Sequence, residues 1–164
     1  KITPTFLFVG DKCGKTKEAI NFYTSIFPNS GIDYMTPYGD NPGPDKPDSI
    51  MHAGFSLAGQ KFAAMDSALQ HQFTFNEAVS FLIECKDQAE VDFHWDKLTV
   101  GGDPKAQQCG WLKDQFGISW QVSPTVLHEM IEDPDQAKVE RVTKAFLHMK
   151  KFDIAELQKA YQGK

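Results

Sequence analysis

The chain has 164 residues, 41% of them apolar and 24% charged, with a formal net charge of −5. That length suits one domain with a full core, and the composition excludes a chain disordered throughout. The acidic balance argues against whole-chain attraction to nucleic acid or anionic lipid, and no apolar run approaches the roughly 18–20 residues a membrane-spanning helix needs.

In chain order, TFLFVG (5–10) reads as a short apolar strand closed by Gly10. KTKEAINFYTSIF (15–27) then sets Ala19, Ile20, Phe22, Tyr23, Ile26 and Phe27 at helical spacing, and Pro28-Asn29 stops the helix. A second strand is expected over 32–38. DNPGPDKPD (40–48) reads as a surface loop. SIMHAGFSLAGQKFAAMD (49–66) predicts two strands joined at Ala58-Gly59. AVSFLIEC (78–85) is another strand, and it leads into a helix over DQAEVDFHWDKL (87–98), with Val91, Trp95 and Leu98 on one side and Gly101-Gly102 beyond its end. Strands over about 109–114 and 117–122, turning near Gly117, follow.

This order repeats. Strand then helix occurs twice, Phe22 and Phe93 hold matching helix positions, and GQKFA (59–63) matches GISWQ (117–121). The reading is α+β: a βαβββ unit twice, in modules of about 1–66 and 75–122 forming one paired domain over 1–122. Residues 123–164 form a helical extension. Ser123-Pro124 and Asp133-Pro134 are its helix-start signals, and Val139, Val142, Ala145, Phe146 and Met149 give a narrow apolar stripe.

Three motifs invite a chemical reading. FVGDKCGKTKEA (8–19) imitates a phosphate-binding loop, but Gly10 and Gly14 enclose three residues where GxxxxGK[ST] needs four, so no nucleotide site is expected. The histidines at 52, 71, 94, 128 and 148 form no HxH, HxxxH or HExxH pattern. Cys13, Cys85 and Cys109 are odd in number with no CxxC pair, so no disulfide framework is expected and a reduced, cytoplasmic setting fits best. In QCGWLKDQFGISWQVSP (108–124), strand alternation puts Ile118 and Trp120 on one face and Ser119 and Gln121 on the other. A polar second face suits the concave side of a sheet that lines a pocket. Trp111 and Lys113 share a face of the partner strand, and one sequence cannot say which.

EAINFYTSIFP (18–28), FNEAVSF (75–81), the second helix with its GG, QCGWLKDQFGISWQVSP and the tail from PTVLHEM to HMKKFDIAELQKAY together resemble the PhnB-like, 3-demethylubiquinone-9 3-methyltransferase-like proteins of the vicinal oxygen chelate (glyoxalase/bleomycin-resistance/dioxygenase) superfamily. The resemblance implies curved mixed sheets around a cavity, commonly in a homodimer. In metal-dependent relatives, ligands come from the start of each module's first strand and near the end of its last. Carried over, these positions hold Pro4, Ala63, Ser80 and Gln121, the last standing where glutamate is usual. Such a set suits a hard divalent ion poorly. No cofactor or metal is therefore expected.

The expectation is a metal-free protein binding a small molecule, with Gln121, Ser80, His52 and Trp111 lining the cavity. Gln121 would orient the ligand, His52 would accept a proton, and Trp111 would form an apolar wall. The alternatives are a metal-dependent lyase, isomerase or dioxygenase that recruits His52 and Asp66, and a ligand-sequestering protein without turnover. Methyl transfer is not expected, because no glycine-rich loop after the first strand is suited to a methyl donor.

Overall fold

Alternation along TFLF turns Phe6 and Phe8 to one face of β1 (Thr5–Phe8), where both are buried. The computed structural model describes residues 1–40 and 43–164. Within the expected 40–48 loop, Asn41 and Pro42 lie outside the described residues. Two compact units, residues 1–74 and 75–164, divide the chain.

In the first unit, β1 is followed by a 3-10 turn (Gly10–Lys12), helix α1 (Thr16–Ile26) and strands β2 (Gly31–Pro37), β3 (Ile50–Leu57) and β4 (Gln60–Asp66). They form sheet A in the order β1-β4-β3-β2, with β1 parallel to β4 and the other pairs antiparallel. Ala58 (φ 48°) and Gly59 (φ 83°) both take positive φ, as a two-residue hairpin turn requires. Ala19, Ile20, Tyr23 and Ile26 of α1 are buried, and Phe6 packs its ring against Tyr23, Phe55 and Phe62. Tyr34, Gly54, His52 and Ala63 belong to the other face.

The second unit runs β5 (Ser80–Cys85), α2 (Gln88–Leu98), a 3-10 turn (Pro104–Ala106), β6 (Trp111–Lys113) and β7 (Ser119–Pro124). Sheet B has three strands in the order β5-β7-β6, with β5 parallel to β7. The fourth strand that a full second βαβββ unit calls for is not formed among the described residues. Its place in the sequence is taken by the 99–110 loop, whose Gly102 lies so close to β6 that a Cβ there would stand 2.3 Å from the Lys113 carbonyl oxygen. α2 buries Val91, Trp95 and Leu98 as expected, whereas Phe93 is exposed.

The tail is helical: α3 (Thr125–Ile131), α4 (Gln136–Phe146) and α5 (Ile154–Gln162). Its starts differ from the sequence signals. Ser123 and Pro124 still belong to β7, and α3 begins without a side-chain cap. Asp135 rather than Asp133 caps α4, accepting from the Ala137 amide at 3.0 Å. Leu127, Met130, Val142, Phe152 and Leu157 form the tail's own core.

The tail is tied to the turn before β6. Cys109 and Gly110 donate their amides to the Met149 and Lys150 carbonyls, both at 2.8 Å. Gln108 Nε2 donates to the Leu147 carbonyl at 2.7 Å, and Gln88 bonds both the Phe152 carbonyl and the Ile154 amide.

Candidate functional site

Strand register settles which face Trp111 occupies. β6 pairs with β7 as Trp111↔Gln121, Leu112↔Trp120 and Lys113↔Ser119, and β5 pairs with β7 as Ser80↔Ser119 and Leu82↔Gln121. Registered partners share a face. One face of sheet B therefore carries Ser80, Leu82, Trp111, Lys113, Ser119 and Gln121, while Phe81, Leu112, Trp120 and Val122 take the other. Trp120 is buried and packs on Phe81 with ring centroids 5.4 Å apart, the apolar role its alternation implies.

The register itself depends on Asp114, buried at the turn between β6 and β7. Its Oδ1 accepts from the Phe116 and Ile118 amides at 2.8 and 3.0 Å, and its Oδ2 accepts from Trp120 Nε1 at 2.8 Å. Fixing both the turn and the Trp120 indole leaves Gln121 no choice of face.

Gln121 Nε2 donates to Ser80 Oγ at 2.8 Å, and both side chains are half-buried. Trp111 stands directly across from Gln121 and is also half-buried. At one end of this face, Lys113 bonds Glu77 at 3.2 Å and holds the Glu77 carboxyl below the usual carboxylate range. The result is a mostly uncharged polar surface beside an indole wall. Its amide carbonyl and hydroxyl can accept or orient hydrogen bonds. Three of the four residues expected to line the site thus come together in the second unit.

His52 lies in the first unit, on β3 of sheet A. Its Nδ1 is 2.7 Å from the Tyr34 hydroxyl, and the two rings stack at 5.5 Å with an interplanar angle of 18°. Sequence reasoning missed Tyr34. The available signal was Gly54, a glycine inside a strand pattern, which often marks a close approach by another group: a Cβ at Gly54 would lie 2.5 Å from Tyr34 Cε1.

Asp66 has its carboxylate engaged elsewhere and is not open to the recruitment that the metal-dependent alternative would make of it. It is fully buried, and its Oδ1 accepts from the Gly14 amide (2.8 Å), the Thr16 amide (3.2 Å) and the Thr16 hydroxyl (2.8 Å). Its Oδ2 accepts from the Ile50 amide at 2.8 Å. The loop that imitates a phosphate-binding motif therefore has its helix-start donors engaged by a carboxylate of the same chain.

The donor set carried over from metal-dependent relatives does not fit a hard divalent ion. Gln121 and Ser80 are neutral and bonded to each other. In sheet A, register puts Thr5 rather than Pro4 on the face of Ala63, and the Pro4 carbonyl accepts the Ala63 amide at 2.9 Å. Among the described residues, no three His, Cys, Asp or Glu side chains group as a metal site. No helix among them is long and apolar enough to cross a membrane.

This architecture is that of the glyoxalase, or vicinal oxygen chelate, superfamily. Its likeness to the fosfomycin resistance protein FosX of Listeria monocytogenes, at a TM-score of 0.51 and 18% identity over 81% of this chain and 97% of that one, is a likeness of fold alone. The family described as 3-demethylubiquinone-9 3-methyltransferase matches residues 1–123, and the chain belongs to that PhnB-like family. A putative 3-demethylubiquinone-9 3-methyltransferase, PhnB protein, of Bacillus cereus is 38% identical, with a TM-score of 0.66 over 76% of this chain and 99% of that one. A protein of Pseudomonas aeruginosa is 25% identical, with a TM-score of 0.60 over 76% and 96% of the two chains. No curated protein matches the sequence. The three tail helices lie beyond the family match.

Proposed function

We propose that the protein binds a small organic molecule without a metal, on the face of sheet B that carries Gln121, Ser80 and Trp111. The observation behind this reading is the 2.8 Å bond from Gln121 to Ser80 beside Trp111. It sets a neutral amide–hydroxyl pair against an aromatic wall, an arrangement that orients a ligand and supplies no anionic ligand for a cation.

Methyl transfer is not part of this reading. A methyl donor would need a glycine-rich loop open to it, and the only near match, GDKCGK, has the amides of Gly14 and Thr16 committed to Asp66. Family resemblance supports a homodimer, which light scattering of the purified chain tests.

The function is tested by metal analysis of the purified protein, followed by a thermal-shift screen over small aromatic and dicarbonyl compounds. A hit whose shift is lost in Gln121→Ala and Trp111→Ala supports the reading. A stoichiometric, tightly held metal, or a hit indifferent to both substitutions, overturns it.

A further inference from the structure

The face of sheet A that points away from α1 carries a small, built arrangement. Tyr34 stands opposite Gly54 and Thr36 opposite His52, with a register shift between Ile32 and Tyr34. Because residue 54 has no Cβ, the Tyr34 ring can occupy the space where that atom would be. Its hydroxyl thereby reaches His52 Nδ1 at 2.7 Å, and the two rings stack. The glycine, the register shift and the hydrogen bond all serve one placement.

We propose that Tyr34 fixes His52 as a hydrogen-bond donor, making this face a receptor for a carbonyl or carboxylate oxygen of a small molecule. A phenol hydroxyl donates well and an unprotonated imidazole nitrogen accepts well, whereas a phenol oxygen is a weak acceptor for an imidazole N–H. On that donor and acceptor strength the 2.7 Å contact is assigned as O–H···Nδ1, which places the proton of the uncharged ring on Nε2. The nitrogen opposite the bonded one sets what a ligand meets. Here a ligand meets an N–H, so the proton-accepting role expected of His52 is reversed. Its complement is an oxygen with a free lone pair. Tyr34 is a positioning residue and need not touch the ligand.

Only the ligand class rests on the reading that the protein binds a small molecule; the tautomer stands without it. Long-range nitrogen–proton spectra of the ligand-free chain at about pH 8, where an ordinary histidine is neutral, should show His52 protonated on Nε2. Tyr34→Phe and Gly54→Ala should each move the Nδ1 resonance to that of an unbonded nitrogen. A wild-type ring protonated on Nδ1 overturns the donor assignment.

Pyruvate, acetate and acetone, added singly, then probe the ligand class. At least one should perturb the His52 Nε2–H, and its affinity should fall about tenfold in His52→Ala, the loss of one strong hydrogen bond. It should largely return in His52→Gln, which restores an N–H donor. An Nε2-protonated ring that ignores all three probes overturns the ligand class. A thermal-shift screen whose hits ignore Gln121→Ala and Trp111→Ala, with the His52 spectrum and probe binding as expected, counts against the sheet B reading alone.

Discussion

Phe152 occupies the space into which any side chain at Gly110 would project. A Cβ on Gly110 would stand 2.4 Å from Phe152 Cε2 and 2.8 Å from the Val122 carbonyl oxygen, and the residue's φ is +79°. Gly110→Ala should therefore destabilise the fold by at least about 2 kcal/mol, from left-handed backbone strain and overpacking together. Chemical denaturation measures it. Phe152→Ala in that background should relieve the ring clash but not the clash with the carbonyl, so a full recovery of stability would contradict this geometry.

Asp66 is predicted to be structural. Asp66→Asn keeps an acceptor for one group of amides and turns a donor toward the other, at a cost of about 2–3 kcal/mol. Denaturant midpoints should show the loss with no change in bound metal. An unchanged midpoint would mean that these bonds matter little.

Cys85 should be inert in the folded protein. Burial pushes its thiol up to about 12, with Glu90 and Asp87 adding to the shift, and the thiolate is the reactive form. Alkylation at about pH 8 should spare Cys85 until denaturant is added, as peptide mass mapping would show. Cys13 is also raised, by burial first and then by Asp66 and Asp45, and should react slowly.

Acid should loosen the tail. Lys151 bonds Asp92, and Tyr161 bonds Asp133, each holding the carboxyl below its usual range. Depressed carboxylates contribute stability in full above the ordinary aspartate value of about 3.9, and lose it as pH falls through their lower folded values. Amide protection in residues 133–162, taken relative to the intrinsic exchange rate at each pH, should fall below about pH 4, and Lys151→Met should reduce that pH dependence. Protection that is flat across the range would show that these pairs do not hold the tail.

The strands and helices were legible because their apolar spacing is local. The repeat was legible in element order, but it suggested a complete second βαβββ unit. Residues 99–110 instead run through a 3-10 turn, and the close approach of Gly102 to the Lys113 carbonyl is a packing contact that apolar spacing does not encode. The helix starts at 123 and 133 misled for a related reason: both have good capping letters, but β7 retains Ser123, and Asp135 lies nearer the first turn of α4. At the site, alternation put Gln121 and Ser119 on one face without help. The face of Trp111 depended on a turn ordered by Asp114, whose buried bonds no spacing rule reveals. Asp66 looked like a spare carboxylate because its donors come from positions 14, 16 and 50.

Those donors also make Asp66 a check on strand alignment. Its four bonds form only when Phe8 stands opposite Asp66 in the parallel β1–β4 pair and the start of α1 follows directly. A slip of one residue would bring Met65 or Ser67 to that place and turn every β4 side chain to the wrong face. Neither could offer an anion to the waiting amides. Mispaired forms of the first unit would thus leave buried donors without acceptors, so a single carboxylate penalises alignments that apolar packing alone would distinguish less sharply.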